Sequence, residues 1–421
     1  MPPPRLDTPS RRWPVARAAS RIPASSKMRG MHMWQEQKVK ALDGHAEAWF
    51  GSAVAIDGDY AMVGAHNSTV DGKHSQGAVY VFKRVGNQWQ QIRKLVAADG
   101  AAGDQFGRTI AMHGDMAIIN APLATIGANI WQGAAYVFRR NGDDWTQAQK
   151  LVDDDGEAFR TFGTCVALDA GHALVGSGGS SHGGQRIDRA LHVFRRQAAS
   201  KLPWSQSQTI ATPLADDPTS AFAASVAIAG KYALIGAPTA SSGGNPGRGV
   251  VYAAQEQGGT WVLVDKIAAS DGEARANFGL SVSVDGDVAV IGAPGATING
   301  NISQGAAYVM LRSSPGWKEA HKLTANDGAR INLFGASVSI DKGAILVGAY
   351  AADNYRGAAY VFERTGSAWT QTSKLQASDG LAGSVYGYYS VIQAKTALVG
   401  AYTATVDGAV KRGAAYFHTR T

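Results

Sequence analysis

The sequence predicts an all-β chain closed into a ring: a seven-bladed β-propeller of four-stranded antiparallel blades, its N-terminal strand completing the last blade. Three observations predict it. An aromatic-Gly pair recurs at Phe50-Gly51, Phe106-Gly107, Phe162-Gly163, Phe278-Gly279, Phe334-Gly335 and Tyr386-Gly387, with Phe222-Ala223 between them, at spacings of 56, 56, 60, 56, 56 and 52 residues. A period of this size is the mark of a repeat architecture. Each unit carries four alternating segments separated by turn residues, which is one propeller blade. The last unit stops at Gly413-Ala-Ala-Tyr-Phe-His-Thr-Arg-Thr421, its third segment, and the missing fourth stands at the other end of the chain as Trp34 to Gly44.

Within a unit the segments follow in a fixed order. The stretch after the aromatic-Gly pair alternates small or polar with apolar residues and reads as the first strand. A tight turn such as Asp57-Gly58 or Asp285-Gly286 leads to a second strand of the Tyr-Ala-Leu-Ile-Gly-Ala-Pro kind. Asp-Gly between alternating runs predicts a type I′ hairpin turn, with positive φ at both central positions. A longer Gly-rich loop leads to the third strand (Ala134-Ala-Tyr-Val-Phe), and a polar turn to a fourth strand carrying tryptophan. An Ala-x-Asp-Gly turn returns the chain to the next pair.

Composition narrows the function. With 45% hydrophobic residues the chain can fill a core, and no apolar run is long enough to span a membrane. A single cysteine, Cys165, excludes a disulfide framework and any cysteine-built metal centre, and reads as a small buried hydrophobe. Of the net charge of +7, residues 1–30 supply +6, leaving 33 bases against 32 acids for residues 31–421. A nucleic-acid binder would carry a basic stripe on its folded body, so no nucleic-acid partner is expected. Residues 1–30 read as a disordered basic extension or a targeting segment, without a readable secretory signal. Residues 31–421 read as the propeller, expected to be monomeric.

Residues that recur in every blade are explained by what every blade needs. Seven of the ten tryptophans (Trp34, Trp89, Trp145, Trp204, Trp261, Trp317, Trp369) fall in phase and are expected to pack between blades. Tyr80, Tyr136, Tyr252, Tyr308, Tyr360 and Tyr416 recur on third strands, His192 replacing the tyrosine once. The turn aspartates Asp43, Asp99, Asp155, Asp271, Asp327 and Asp379 are expected to cap their turns by bonding the backbone.

The Phe-Gly pair is followed about 13–15 residues later by Gly236-Ala-Pro238 and Gly292-Ala-Pro294, and by near matches at Gly64, Asn120, Gly348 and Gly400. Gly176-Ser-Gly178 departs most. This pattern resembles FG-GAP repeats, the units of integrin α-chain propellers, over about 390 residues, with details close to a bacterial type of the repeat. The resemblance implies the propeller fold and adhesion, glycan-binding or docking roles, and it favours an extracellular or cell-surface location. Many relatives bind calcium through Asp-x-Asp-x-Asp-Gly loops. Here that connection is a two-residue turn without the six to eight oxygens calcium needs, so no cofactor is expected.

Unrepeated residues point to the site. The second-to-third loops and the blade-to-blade loops emerge on one face, and that face is expected to bind. Trp131 is the only tryptophan in a second-to-third loop and suits a hot spot or a sugar-stacking platform. Asn129, His66, His74, His182, Arg186, Asn301, Asp353, Tyr355, Tyr402 and Arg412 are the other candidates. No nucleophile elbow, zinc-protease or phosphate-loop motif is present. The expected function is therefore non-catalytic recognition of a protein partner or glycan. A lectin with repeated inter-blade sugar sites is the alternative; a hydrolase or lyase would need an acid–base pair converging on the central channel.

Overall fold

A computed structural model describes residues 33–178, 188–197, 203–213, 220–314 and 316–420. The basic N-terminal segment and two candidate residues, His182 and Arg186, lie outside the described residues. Seven four-stranded antiparallel sheets follow one another around a ring, each running from an inner first strand to an outer fourth. Blade one shows the pattern: Ala53–Asp57, Tyr60–Ala65, Ala78–Val85 and Gln88–Leu95. Blade seven takes its inner strands from Ser390–Gln393, Thr396–Ala401 and Ala414–Arg420, and its outer strand from Trp34–Val39. Trp34 pairs with Arg420 and Val39 with Ala415, so the chain's two ends close the ring as the split repeat requires. No helix among the described residues is long and apolar enough to cross a membrane.

The tight turns differ from the expectation. In blade one the turn closes at Asp57↔Tyr60, and only Gly58 (φ 60°) of its two central residues has positive φ. That is the type II′ arrangement, because the glycine stands first of the central pair and the aspartate precedes it. The aspartate is freed to bond the neighbouring blade. Asp285 and Asp341 accept from the backbone N–H of Lys342 and Ala394, each at 2.7 Å. Positive φ at both central residues, the type I′ pattern, occurs at Lys342-Gly343 in blade six and in the long loops. Val70↔Lys73, Ile298↔Asn301 and Val406↔Ala409 close miniature hairpins with positive φ at both Asp71-Gly72, Asn299-Gly300 and Asp407-Gly408. The Gly-rich loops are thus ordered turns in most blades.

The glycines of the motif are contact points between blades. A Cβ on Gly64 would lie 2.1 Å from the Gly107 carbonyl oxygen of the next blade, and Gly236, Gly292, Gly348 and Gly400 repeat the contact at 2.0–2.1 Å. Tryptophans pack across the same interfaces: Trp89 stacks on Phe417 of blade seven at 4.4 Å, and Trp145 meets Tyr60 of blade one edge-on at 6.3 Å.

The turn aspartates do more than cap. Each of Asp43, Asp99, Asp271, Asp327 and Asp379 receives a lysine ammonium from the following blade (Lys94, Lys150, Lys322, Lys374 and Lys38) at 2.5–2.8 Å. Partial burial opposes their ionisation, but the lysine and the adjacent tyrosine hydroxyl outweigh it and hold the carboxyls below the usual range. Their own backbone N–H groups add a smaller contribution, in keeping with the expected cap.

Candidate functional site

The seven first strands surround a central channel whose long-loop end opens into a cavity of about 390 Å³. Alternation along each first strand sends every second side chain inward. Val54, Val166, Val226, Val282 and Val338 form one aliphatic layer of its wall. Ser225, Ser281 and Ser337 stand one residue earlier, and their hydroxyls donate to the Gly279, Gly335 and Gly387 carbonyls of the next blade at 2.8–3.0 Å. Cys165 occupies the same place in blade three and donates its S–H to Ala223 O at 3.1 Å, where burial pushes the thiol up to about 12. The cysteine is buried, as its sequence context suggests, but it also serves as a blade-to-blade donor.

The mouth breaks the sevenfold pattern. Where the Gly-Ala-Pro motif places Pro122, Pro238 and Pro294, blades six and seven place Tyr350 and Tyr402, and blade one places His66. After its aromatic-Gly pair, blade seven continues with Tyr388-Tyr389 where blade six has Ala336-Ser337. These side chains converge. Tyr388 lies 4.6 Å from Tyr350, 4.9 Å from Tyr389 and 5.5 Å from Tyr402, centroid to centroid. Trp49 continues the arc at 6.1 Å from Tyr402, and His66 closes on Trp49 at 5.1 Å.

The electrostatics of this arc are one-sided. Burial raises Tyr350 to about 12, with Tyr388 adding to it, so its phenol stays neutral at physiological pH. Burial lowers His66 to about 4, aided by the Arg108 guanidinium, and its Nδ1 meets Ser52 Oγ at 2.7 Å. Arg108, the residue after the Phe106-Gly107 pair, is exposed; it donates to Gln105 Oε1 at 3.2 Å and has no ion-pair partner among the described residues. Among the described residues no carboxylate lines the cavity.

The sequence-chosen residues fall into distinct settings. His66 and Tyr402 belong to the arc, and Tyr355 joins its outer edge at 6.4 Å from Tyr350. Trp131 is 48% exposed and its ring meets Phe159 at 5.4 Å. Asn129 bonds Gln132 and Gly156 O at 2.9 and 3.0 Å, and Asn301 bonds Gln304 at 3.0 Å, bracing their own loops. His74 meets Thr69 at 3.3 Å, and Asp353 accepts from Gln376 at 2.6 Å. Arg412 reaches back to Ala41 O at 3.1 Å, as Arg356 reaches Ala377 O and Gln132 reaches Asp153 O. Sequence reasoning missed Trp49, Arg108, Tyr350, Tyr388 and Tyr389. Arg108, Tyr350, Tyr388 and Tyr389 were signalled as departures from the repeat at positions where most other units carry proline or a small residue, whereas the position of Trp49 varies from unit to unit and gave no signal.

One arrangement has the order of a catalytic triad. His192 Nε2 meets Ser177 Oγ at 3.1 Å and its Nδ1 faces Asp153 Oδ1 at 3.4 Å, with Arg160 held on the other carboxylate oxygen at 3.2 Å. The three members are 0–3% exposed, and the serine also bonds Ala190 O, so no substrate reaches that hydroxyl. It replaces, within blade three, the tyrosine of the other blades.

The model of the FG-GAP repeat matches residues 34–82, 89–138, 145–194, 261–310, 317–362 and 369–417, well over half of the chain. The chain belongs to the FG-GAP repeat family. Each match joins the outer strand of one blade to the inner three of the next. The seventh FG-GAP unit, around Phe222-Ala223, is supplied by the structure as strands Ser225–Ala229, Tyr232–Ala237 and Val250–Gln257. No curated protein matches the chain. FG-GAP propellers are typically non-catalytic recognition modules, and the fold suggests a protein-interaction module here.

Proposed function

We propose that this FG-GAP propeller is a non-catalytic recognition module that takes a segment of a protein partner at the channel mouth on its long-loop face. The observation that carries the reading is the tyrosine arc. It gathers Tyr350, Tyr388, Tyr389 and Tyr402 from two adjacent blades over a cavity of about 390 Å³. Such a volume is at the small end of ligand pockets, enough for a few side chains of an inserted loop. Aromatic clusters bordering a concave, partly desolvated site are the usual makings of a binding hot spot. Because the arc occupies one sector only, it favours one asymmetric partner over seven equivalent sugar sites. The reading assigns no cofactor, since lysines occupy the carboxylates of the turn aspartates. It places the protein in adhesion or docking, at the cell surface or outside the cell, as a monomer.

The test is a random peptide display library and a glycan array, both probed with the wild-type protein and with Tyr388→Ala and Tyr402→Ala. Peptides whose binding falls at least about tenfold in both variants support the reading. Glycan binding lost in the same variants would replace it with the lectin reading. Binding lost only in Trp131→Ala would move the site to the blade-two loop, around Ile130, Trp131 and Phe159.

A further inference from the structure

Resting on that reading, we infer that the mouth is built for an acidic partner: the inserted segment carries a carboxylate that Arg108 and the tyrosine hydroxyls receive. The basis is an inventory of donors and acceptors around the cavity. Tyr350, Tyr388 and Tyr389 line it and Tyr402 packs behind them, and none of these four hydroxyls has a protein hydrogen-bond partner among the described residues. The third-strand tyrosines behave differently: Tyr308 and Tyr416 give their hydroxyls to Asp271 and Asp379 at 2.8 and 2.7 Å.

The same contrast holds for charge. The lysines of the blade clamps each sit on a carboxylate, whereas Arg108 has no ion-pair partner among the described residues. It lies in the blade beside His66 and Trp49, at one end of the arc, and its charge is felt at both His66 and Tyr389. The serine hydroxyls deeper in the wall already give their protons to backbone carbonyls. Among the described residues the mouth therefore presents the Arg108 guanidinium and four uncommitted O–H donors, and no carboxylate lines its cavity.

A carboxylate ligand satisfies this set. It accepts from several donors at once, and hydrogen bonds to an ionised acceptor are about twice as strong as neutral ones. A cationic ligand would find aromatic faces, but it would meet Arg108 and no counter-charge. Aromatic flanks exclude water around the contact, which strengthens the charge-assisted bonds.

Three acetylated dipeptide amides, Ac-Phe-Glu-NH2, Ac-Phe-Gln-NH2 and Ac-Phe-Lys-NH2, separate the possibilities by charge alone. Binding is followed by saturation-transfer NMR with the full chain. The glutamate peptide is expected to bind about tenfold more tightly than the glutamine peptide, and the lysine peptide least. Arg108→Gln removes the preference, Arg108→Lys restores part of it, and added salt weakens it. Arg108 is exposed with a single local contact, so melting curves of these variants should match the wild type. Equal binding of the three peptides, or a preference for lysine, overturns the inference. If library peptides still require Tyr388 and Tyr402 but show no acidic enrichment, the inference falls and the recognition reading stands. If nothing binds at the mouth, both fall.

Discussion

Three buried histidines make the propeller's stability depend on pH in a calculable window. His66, His192 and His418 are each lowered to about 4, burial being the largest cause in all three; at His192, Asp153 opposes the shift and Arg160 adds to it. Unfolding returns each to its ordinary value of about 6.5. Between these two values the unfolded chain binds protons that the folded chain does not, so stability falls as pH falls. Each histidine contributes about 1.4 kcal/mol per pH unit in that window, and the three together about 4 kcal/mol per unit. Over the window this approaches 10 kcal/mol, comparable with the whole stability of a typical domain. The lysine-paired aspartates act in the same direction only below their unfolded value of about 3.8. Asp104, raised by burial, acts oppositely between that value and its own folded pKa.

The assay is urea unfolding followed by tryptophan fluorescence from pH 7.5 to 4.5. The decisive variant restores the repeat. His418 stands where blade six has Phe362, and its Nε2 meets Tyr386 OH at 2.6 Å, where blade six has Phe334. Tyr386→Phe combined with His418→Phe should lower the slope from about 4 to about 2.7 kcal/mol per unit. A wild-type slope below about 1.4, the value for one histidine, or an unchanged slope in the double variant would refute the reasoning.

Other consequences are simpler to check. Asp153→Ala leaves buried His192 without its carboxylate and half-buried Arg160 with only the exposed Glu157, and should cost about 3 kcal/mol in chemical denaturation. Gly348→Ala would put a Cβ 2.0 Å from Gly387 O and should cost at least about 2 kcal/mol, while Gly366→Ala, open to solvent though at φ 65°, should cost less. EDTA should leave the melting temperature unchanged, because the repeated carboxylates already hold lysines; a fall of several degrees would show a bound metal.

The blade count, the strand order and the closure between chain ends were legible because a propeller repeats. Every blade solves the same packing problem, so Phe50, Gly64, Tyr80 and Trp89 reappear in phase and announce their roles. The turn class was misjudged at Asp57-Gly58 because the dipeptide does not say which residue stands first in the central pair. Blade three was legible only as a set of oddities. His192 could be seen to replace a tyrosine, but Asp153, its partner, lies 39 positions away, and only the packed sheet brings them to 3.4 Å.

The binding surface divides the same way. The sequence determined which face carries the long loops and that blades six and seven depart from Gly-Ala-Pro, since both follow from position along the repeat. Tertiary structure decided what those departures mean. Tyr350 and Tyr388 lie in different blades and meet only because adjacent first strands converge on the channel, where hairpin geometry sends both rings to the same rim. Arg108 could be read as one more surface arginine. Its lack of an ion-pair partner among the described residues depends on how seven sheets are arranged, and no local pattern records that.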